Sequence, residues 1–438
     1  MPDSIVTAYE ESDVLDPRTD AVRPSVPPVI KPVDLGSVHV ETPVVLSPMA
    51  GVTNWPFRVI CESYGPDGLY VAEMITARAL VARNPKALRL CHFAPSEKIR
   101  SLQLYGVNPA IVEQAAKIVI DENMADHVDL NFGCPVPKVT RRGGGSALPW
   151  KTDLFREIIQ RVVKVCDAAN VPVTAKIRVG IDHEHETFLE AGHIAQEEGC
   201  RAVTLHARTT AEYYGGHSDW SRIGELVEAL DIPVFGNGDI WGANDALAMV
   251  AETGCAGVAI GRGCQGRPWL FADIKNAFAG SDKRVDPTLG DVCRVVERHA
   301  ELLTEFYDGD EQMAVHDLRK HIAWYLKGFP VGGSTRRAFM ECENLEDVRT
   351  EIGKLDPDTR FPERVVDKPR GACASQRKCI CPTDGWNHGK RRMMNVRRCS
   401  AMILWMPVIE HDMLMWLNRV GRRKRVHLRR NEHVSNKK

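Results

Sequence analysis

The run Asn131-Phe132-Gly133-Cys134-Pro135 puts a thiol at the end of a short apolar stretch. A Gly-rich segment follows, Arg141-Arg142-Gly143-Gly144-Gly145-Ser146. A thiol on such a loop can act as a general acid if its pKa suits the task. The plain alternative is a buried structural cysteine, the common fate of free Cys. Metal ligation is disfavoured because no second Cys or His lies nearby at ligand spacing, and no metal is expected. Elsewhere Lys176 and Arg178 close one β-branched run, and His206 and Arg208 close another. Gly236-Asn237-Gly238-Asp239 and Gly261-Arg262-Gly263 close two more. Glycines let a backbone approach an anion closely, and an arginine adds a donor fork.

Eight such β-branched runs recur, beginning at Val44, Leu69, Ser101, Val128, Val173, Val203, Val234 and Val258. Longer amphipathic stretches separate them, for example Asp153 to Ala168 with apolar Leu154, Ile158, Val162 and Val165. Spacings of roughly 25–45 residues fit strand-helix units of a parallel sheet. Eight units in about 230 residues predict an α/β fold, a closed (β/α)8 TIM barrel. A doubly wound sheet is the alternative, but no strand opens onto a G-x-G-x-x-G turn. After Asp286 the patterns of Leu289–Asp308, Met313–Lys327 and Thr335–Lys354 are helical throughout, which predicts a small C-terminal helical domain. The expected divisions are a flexible segment 1–32, a barrel 33–285, a helical domain 286–361 and a basic tail 362–438.

In barrels of this kind chemistry gathers at the C-terminal ends of the strands. Pro48-Met49-Ala50-Gly51, Gln103-Leu104-Tyr105-Gly106, Asn131 to Cys134, Lys176 to Arg178, His206 to Arg208 and the two Gly-rich segments all fall there. A single late-strand lysine is usually a snorkelling or paired one, but seven rim segments imply a shared polar pocket. The Gly-rich segments after strands seven and eight suit a phosphate, and Lys176 suits negative charge on a reduced ring. Flavin mononucleotide fits these features, although a sugar phosphate would satisfy the phosphate site equally.

The chain carries 57 basic and 58 acidic side chains, with hydrophobic residues at 44%. No run is apolar and long enough to span a membrane, no secretory pattern is visible, and the thirteen cysteines lack a disulfide framework. A reduced, cytoplasmic monomer is expected. Charge is uneven: from Arg364 onward 19 Lys and Arg face 5 Asp and Glu. The remainder is therefore acidic, and a basic tail on an acidic body raises the question of a nucleic-acid partner.

From Val44 to Phe361 the sequence resembles the tRNA-dihydrouridine synthase family, on its bacterial side. The match rests on PMAGVTNWPFR (48–58), LQLYG (102–106), DLNFGCPVPKV (129–139), AKIRVG (175–180), TLHAR (204–208), NGDI (237–240), IGRG (260–263) and RKHIAWYLKGF (319–329). The resemblance implies reduction of the uridine C5–C6 bond in tRNA, with FMN as cofactor and NADPH, or NADH, as reductant. It implies Pro48, Met49 and Ala50 against the flavin, Gln103 hydrogen-bonded to it, and Lys176 and His206 in contact. It implies Asn237, Gly238, Asp239, Gly261 and Arg262 on the ribityl phosphate, Asn131 and Arg178 on the uridine, and Cys134 as proton donor. The uridine must leave its stack to react, so a basic groove is expected, with Arg141 and Arg142 near the loop and Arg319, Lys320, Lys327, Arg336 and Arg337 in the helical domain. Competing readings are a flavin barrel enzyme acting on free pyrimidines and a tRNA-binding paralogue without catalysis. Beyond Lys378 the resemblance fades. The tail is expected to be dispensable, and its Cys379 and Cys381 pair is a poor zinc site.

Overall fold

The computed structural model describes residues 24–369. The tail expectations for 379–438 fall outside the described residues.

Eight parallel strand positions form a closed ring. They are Val44–Leu46, a split second strand, Ser101–Tyr105, His127–Phe132, Val173–Arg178, Val203–His206, Val234–Asn237 and Gly257–Ile260. The eighth strand pairs with the first, Val258 opposite Val44, which joins the two ends of the series. The second strand is broken into Leu69–Tyr70 and Ile75–Thr76. Its first piece pairs with strand one and its second with strand three, while Val71 bridges Ser101. The apolar run that begins at Leu69 is thus not one continuous strand. The break frees Glu73, whose Oε2 accepts from the Gly51 amide at 2.7 Å and ties the loop after strand one to strand two.

An antiparallel hairpin, Val33–Asp34 with His39–Val40, precedes the barrel. Its Leu35, Val38 and Val40 pack with Val45, Leu69, Phe235 and Ala259 of the strands. Period-2 alternation over so few residues is too brief to be read as strand from sequence.

Short polar caps set where the outer helices begin. Asn54 accepts from Phe57 N at the head of Trp55–Tyr64, and Asn108 from Ile111 N at the head of Pro109–Asp121. Both have a proline in the first turn, where a missing N–H costs nothing. Helix Thr152–Asp167 buries Phe155, Ile158, Ile159, Val162, Val163 and Cys166 on one face, the stripe a sheet-packed helix requires.

The helical region comprises Leu289–Phe306, Glu311–Tyr325, Gly332–Glu341 and Leu345–Ile352. Thr288 and Asp291 form a capping box at its start. The expected single run from Thr335 to Lys354 is two helices, because Asn344 caps a new one by accepting from Asp347 N. Barrel residues Trp55, Ile60 and Trp269 share one apolar cluster with Val292, Leu303, Leu318 and Phe361, so helices and barrel pack through a common core. Among the described residues no helix is long and apolar enough to cross a membrane.

Candidate active site

The Cys134 loop is fixed from both sides. Asn131 Oδ1 accepts from the amides of Gly133 at 3.3 Å and Cys134 at 3.1 Å. The Cys134 carbonyl accepts from Ser146 N and Ser146 Oγ, each at 3.1 Å. Gly145 lies at φ +56°, and a Cβ there would stand 2.4 Å from the Cys134 carbonyl oxygen. Only glycine allows this return of the chain. Of the nine free cysteines among the described residues, Cys134 alone escapes full burial. Burial pushes its thiol pKa up, while the Val136 amide and the Arg178 charge pull it down. A thiol so placed holds its proton at neutral pH.

Arg178 donates from Nε to the Gly133 carbonyl and from Nη1 to the Thr209 carbonyl, both at 2.9 Å. Its guanidinium stands 5.3 Å from the Tyr214 ring centre. Lys176 donates to Asn237 Oδ1 at 2.8 Å, and Asn237 Nδ2 donates to the Ala259 carbonyl at 2.6 Å. Burial, with Arg178 nearby, pushes the Lys176 ammonium down to about 7. His206 is held well below its ordinary value by burial and by Arg178, Lys176, Arg208 and Arg262. A neutral imidazole thus lies among four cations, an arrangement suited to an anion.

Arg262 lies 5.2 Å from the Tyr214 ring centre and 5.0 Å from that of Trp241. It is 3.5 Å from Asp239 Oδ1. Asp239 itself pairs with buried Arg208, whose Nη2 reaches both carboxylate oxygens at 2.8 and 2.7 Å. Arg208 also donates to the carbonyls of Gly215 and Gly216 and to Ser218 Oγ. The Asp239 side chain therefore organises the loop after strand six. Gly238 has φ +128°, with Ser218 Oγ 1.8 Å from where a Cβ would stand, whereas a Cβ on Gly261 would meet nothing within 4 Å. That open space lies beside Arg262.

Pro48 and Met49 are half-buried and Ala50 is exposed. They form a turn closed by Val52 N and Thr53 N donating to the Met49 carbonyl. Beside it Ser47 Oγ is buried and unpartnered, as is Gln265 Oε1. Gln103 and Asn131 are bonded to one another, Asn131 Nδ2 to Gln103 Oε1 at 2.8 Å. Arg336 and Arg337 belong to helix Gly332–Glu341. Arg336 donates to the carbonyls of Leu326 and Phe329, and Arg337 is exposed.

Sequence reasoning did not assign Tyr214, Trp241, Asp129 or the anchoring role of Arg208. Tyr214 and Trp241 carried no signal, because aromatics following a strand are commonplace. Asp129 did carry one: polar residues at every second position of buried strands, as in His127, Asp129 and Asn131.

The family model described as Dihydrouridine synthase (Dus) matches residues 45–356. A probable tRNA-dihydrouridine synthase of Mycobacterium leprae (strain TN) is 48% identical, over 78% of this chain and 95% of that protein. A tRNA-dihydrouridine synthase B of Pseudomonas putida is 37% identical, over 72% of this chain and 91% of that protein. A histamine dehydrogenase structure from Rhizobium sp. 4-9 aligns with a TM-score of 0.44 at 11% identity, over 79% of this chain and 66% of that chain. By the match of the family model and of these curated relatives, the chain belongs to the tRNA-dihydrouridine synthase family.

Proposed function

We propose that this protein reduces uridine in tRNA to dihydrouridine at the mouth of the barrel, with FMN as cofactor, NADPH as reductant and Cys134 as proton donor. The observation that carries the reading is the half-buried Cys134 at the barrel rim, its backbone amide and carbonyl held by Asn131 and Ser146, with burial pushing its thiol pKa up.

The residues present fit a flavin phosphate. Arg262 and the open face of Gly261 suit the phosphate, and neutral His206 and Lys176 suit the ring. Ser47 Oγ and Gln265 Oε1 offer buried polar groups still lacking partners. The bound flavin would supply the hydride taken up at uridine C6. Cys134 gives its proton to C5, the S–H bond breaking as the C–H bond forms. Arg178 and the Val136 amide favour the thiolate left behind, which regains a proton from water. Asn131 and Arg178 border the position of the base. The uridine reaches it only when unstacked, so tRNA is gripped through phosphates by Arg141, Arg142 and the helical region. Such a substrate places the reaction in the cytoplasm.

Cys134→Ala tests this directly. The variant should bind FMN and accept electrons from NADPH at the wild-type rate while uridine reduction falls at least 100-fold, within the usual range for a lost general acid. Dihydrouridine formation by Cys134→Ala at the wild-type rate would overturn the assignment.

A further inference from the structure

Barrel interiors of this class are normally packed with branched apolar side chains. Here three neighbouring strands turn polar ones towards each other, and these join in one chain. Ser101 Oγ and His127 Nδ1 are 2.7 Å apart, and His127 Nε2 and Thr174 Oγ1 are 3.0 Å apart. Thr174 Oγ1 donates to Asp129 Oδ1 at 2.6 Å, and Gln103 Nε2 donates to Asp129 Oδ2 at 2.6 Å. Gln103 Oε1 accepts from Asn131 Nδ2, and Asn131 Oδ1 accepts from the Gly133 and Cys134 amides.

We propose that Asp129 is a positioning residue for the reduction: its buried carboxylate sets the direction of every hydrogen bond between the barrel interior and the Cys134 amide, and so aims the thiol.

The direction follows from what each group can do. An ionised carboxylate only accepts, so Gln103 must turn its NH2 towards Asp129 and its oxygen towards Asn131. Asn131 must then turn its NH2 to Gln103 and its oxygen to the loop amides. Those amides only donate, so the far end of the arm demands the same orientation. Side-chain amides are otherwise free to flip; here a carboxylate and two backbone N–H groups remove the choice at both ends. The other arm is equally determined. Because Thr174 gives its hydroxyl proton to Asp129, it accepts from His127 Nε2–H, and His127 Nδ1 accepts from Ser101. Burial holds His127 at about 4, so the ring is neutral and has one proton to place. Burial raises the Asp129 carboxyl to about 6, which leaves it ionised at neutral pH.

A neutral amide at position 129 can donate as well as accept. Gln103 could then reverse, Asn131 would face two donors, and the loop would lose its anchor. A half-satisfied polar network is worse than none. The carboxylate also favours the charged form of Lys176, which lies two residues along the neighbouring strand from Thr174: Thr174 is opposite Asp129 and Lys176 is opposite Asn131.

The proposal rests on Cys134 being the acid, and its test separates the two. Asp129→Asn, near-isosteric, is compared with Ser101→Ala, which removes the far end of the chain and leaves both bonds to the carboxylate. Two quantities are read in the full-length protein: the rate of Cys134 alkylation by iodoacetamide, followed by peptide mass, and single-turnover uridine reduction by protein already reduced with NADPH. Asp129→Asn should alter alkylation at least fivefold and slow uridine reduction 10- to 100-fold, the usual cost of removing an orienting partner. Ser101→Ala should change each by less than twofold. Wild-type values in Asp129→Asn, or equal damage from Ser101→Ala, would overturn the proposal. Should Asp129→Asn fail to fold, Gln103→Met cuts the same arm above the carboxylate and carries the same expectations for alkylation. Should Cys134→Ala still reduce uridine while Asp129→Asn alters alkylation, the acid assignment falls and the aiming of the loop stands.

Discussion

Two residues at the rim have their ordinary acidities moved in directions that suit different tasks. Burial raises the Cys134 thiol and lowers the Lys176 ammonium to about 7. The first keeps a proton available, and the second makes a cation that pH can remove near neutrality. Affinity for an anionic reduced flavin should therefore weaken as pH rises above about 7, and a bound anion shifts the break upward because it favours the charged amine. Lys176→Met should bind FMN more weakly and show no such break, as flavin midpoint potentials across pH would reveal. Gly145→Ala makes a second residue-scale test. Its Cβ would meet the Cys134 carbonyl at 2.4 Å in a left-handed conformation, so the loop should loosen at a cost of about 1–3 kcal/mol. Faster Cys134 alkylation with the barrel still folded is the expected result. The rim positions of Cys134 and Lys176 were legible in sequence because each lies at the end of a recognisable strand, where its side chain is chemically out of place. The pairing of Asp239 with Arg208 was not legible, because the two lie 31 residues apart in different rim loops.

At the scale of elements, the strongest sequence signal was period. Alternating strand and helix over long stretches exposed the barrel, while the hairpin at Val33–Val40 and the split second strand were too short to leave a pattern. Tertiary pairing alone decides such elements. The contact between helices Leu289–Phe306 and Glu311–Tyr325 carries a buried histidine pair, His299 and His321, with ring centres 4.4 Å apart. Phe57 of helix Trp55–Tyr64 lies 5.3 Å from the His321 ring. Both His321 nitrogens are unpartnered, Tyr325 Oη lies 3.1 Å from His299 Nδ1, and Lys320 adds positive charge nearby. Burial pushes His299 to about 3 and His321 well below its ordinary value. Between those values and the unfolded value of about 6.5, the unfolded chain binds more protons. Stability therefore falls as pH drops from about 6.5 towards 3, even though raised carboxyls such as Asp129 and Asp273 work in the opposite direction. His321→Phe removes one of these sites, so its acid unfolding midpoint should lie at lower pH than that of the wild type. Circular dichroism across a pH series would detect a midpoint that instead stays put or rises.

For the whole molecule, the question is how an acidic body holds a polyanion. Under the proposed function, positive charge must be concentrated where the RNA lies, and the two arginines of helix Gly332–Glu341 differ in what they have free to offer it. Arg336 secures the carbonyls of Leu326 and Phe329, while Arg337 is exposed. Arg337→Glu should weaken tRNA binding several-fold at moderate salt with little change in melting temperature. Arg336→Glu should lower the melting temperature as well. Equal tRNA affinity for Arg337→Glu and wild type, in filter binding at two salt concentrations, would remove this helix from the interface. Sequence could propose the pair but not separate them, since a guanidinium bonded to backbone carbonyls reads the same as one facing water.

The hairpin Val33–Val40 lies against strands one, two, seven and eight through Val45, Leu69, Phe235 and Ala259. With Leu35, Val38 and Val40 packed onto the strands, the proposed reaction is approached from the rim that carries Cys134 and Lys176. Under the proposed function, electron donor and RNA would share that rim and use it in turn, the first departing before the second arrives. Steady-state plots against one partner, at several fixed levels of the other, should give parallel lines, and an excess of either should obstruct its counterpart.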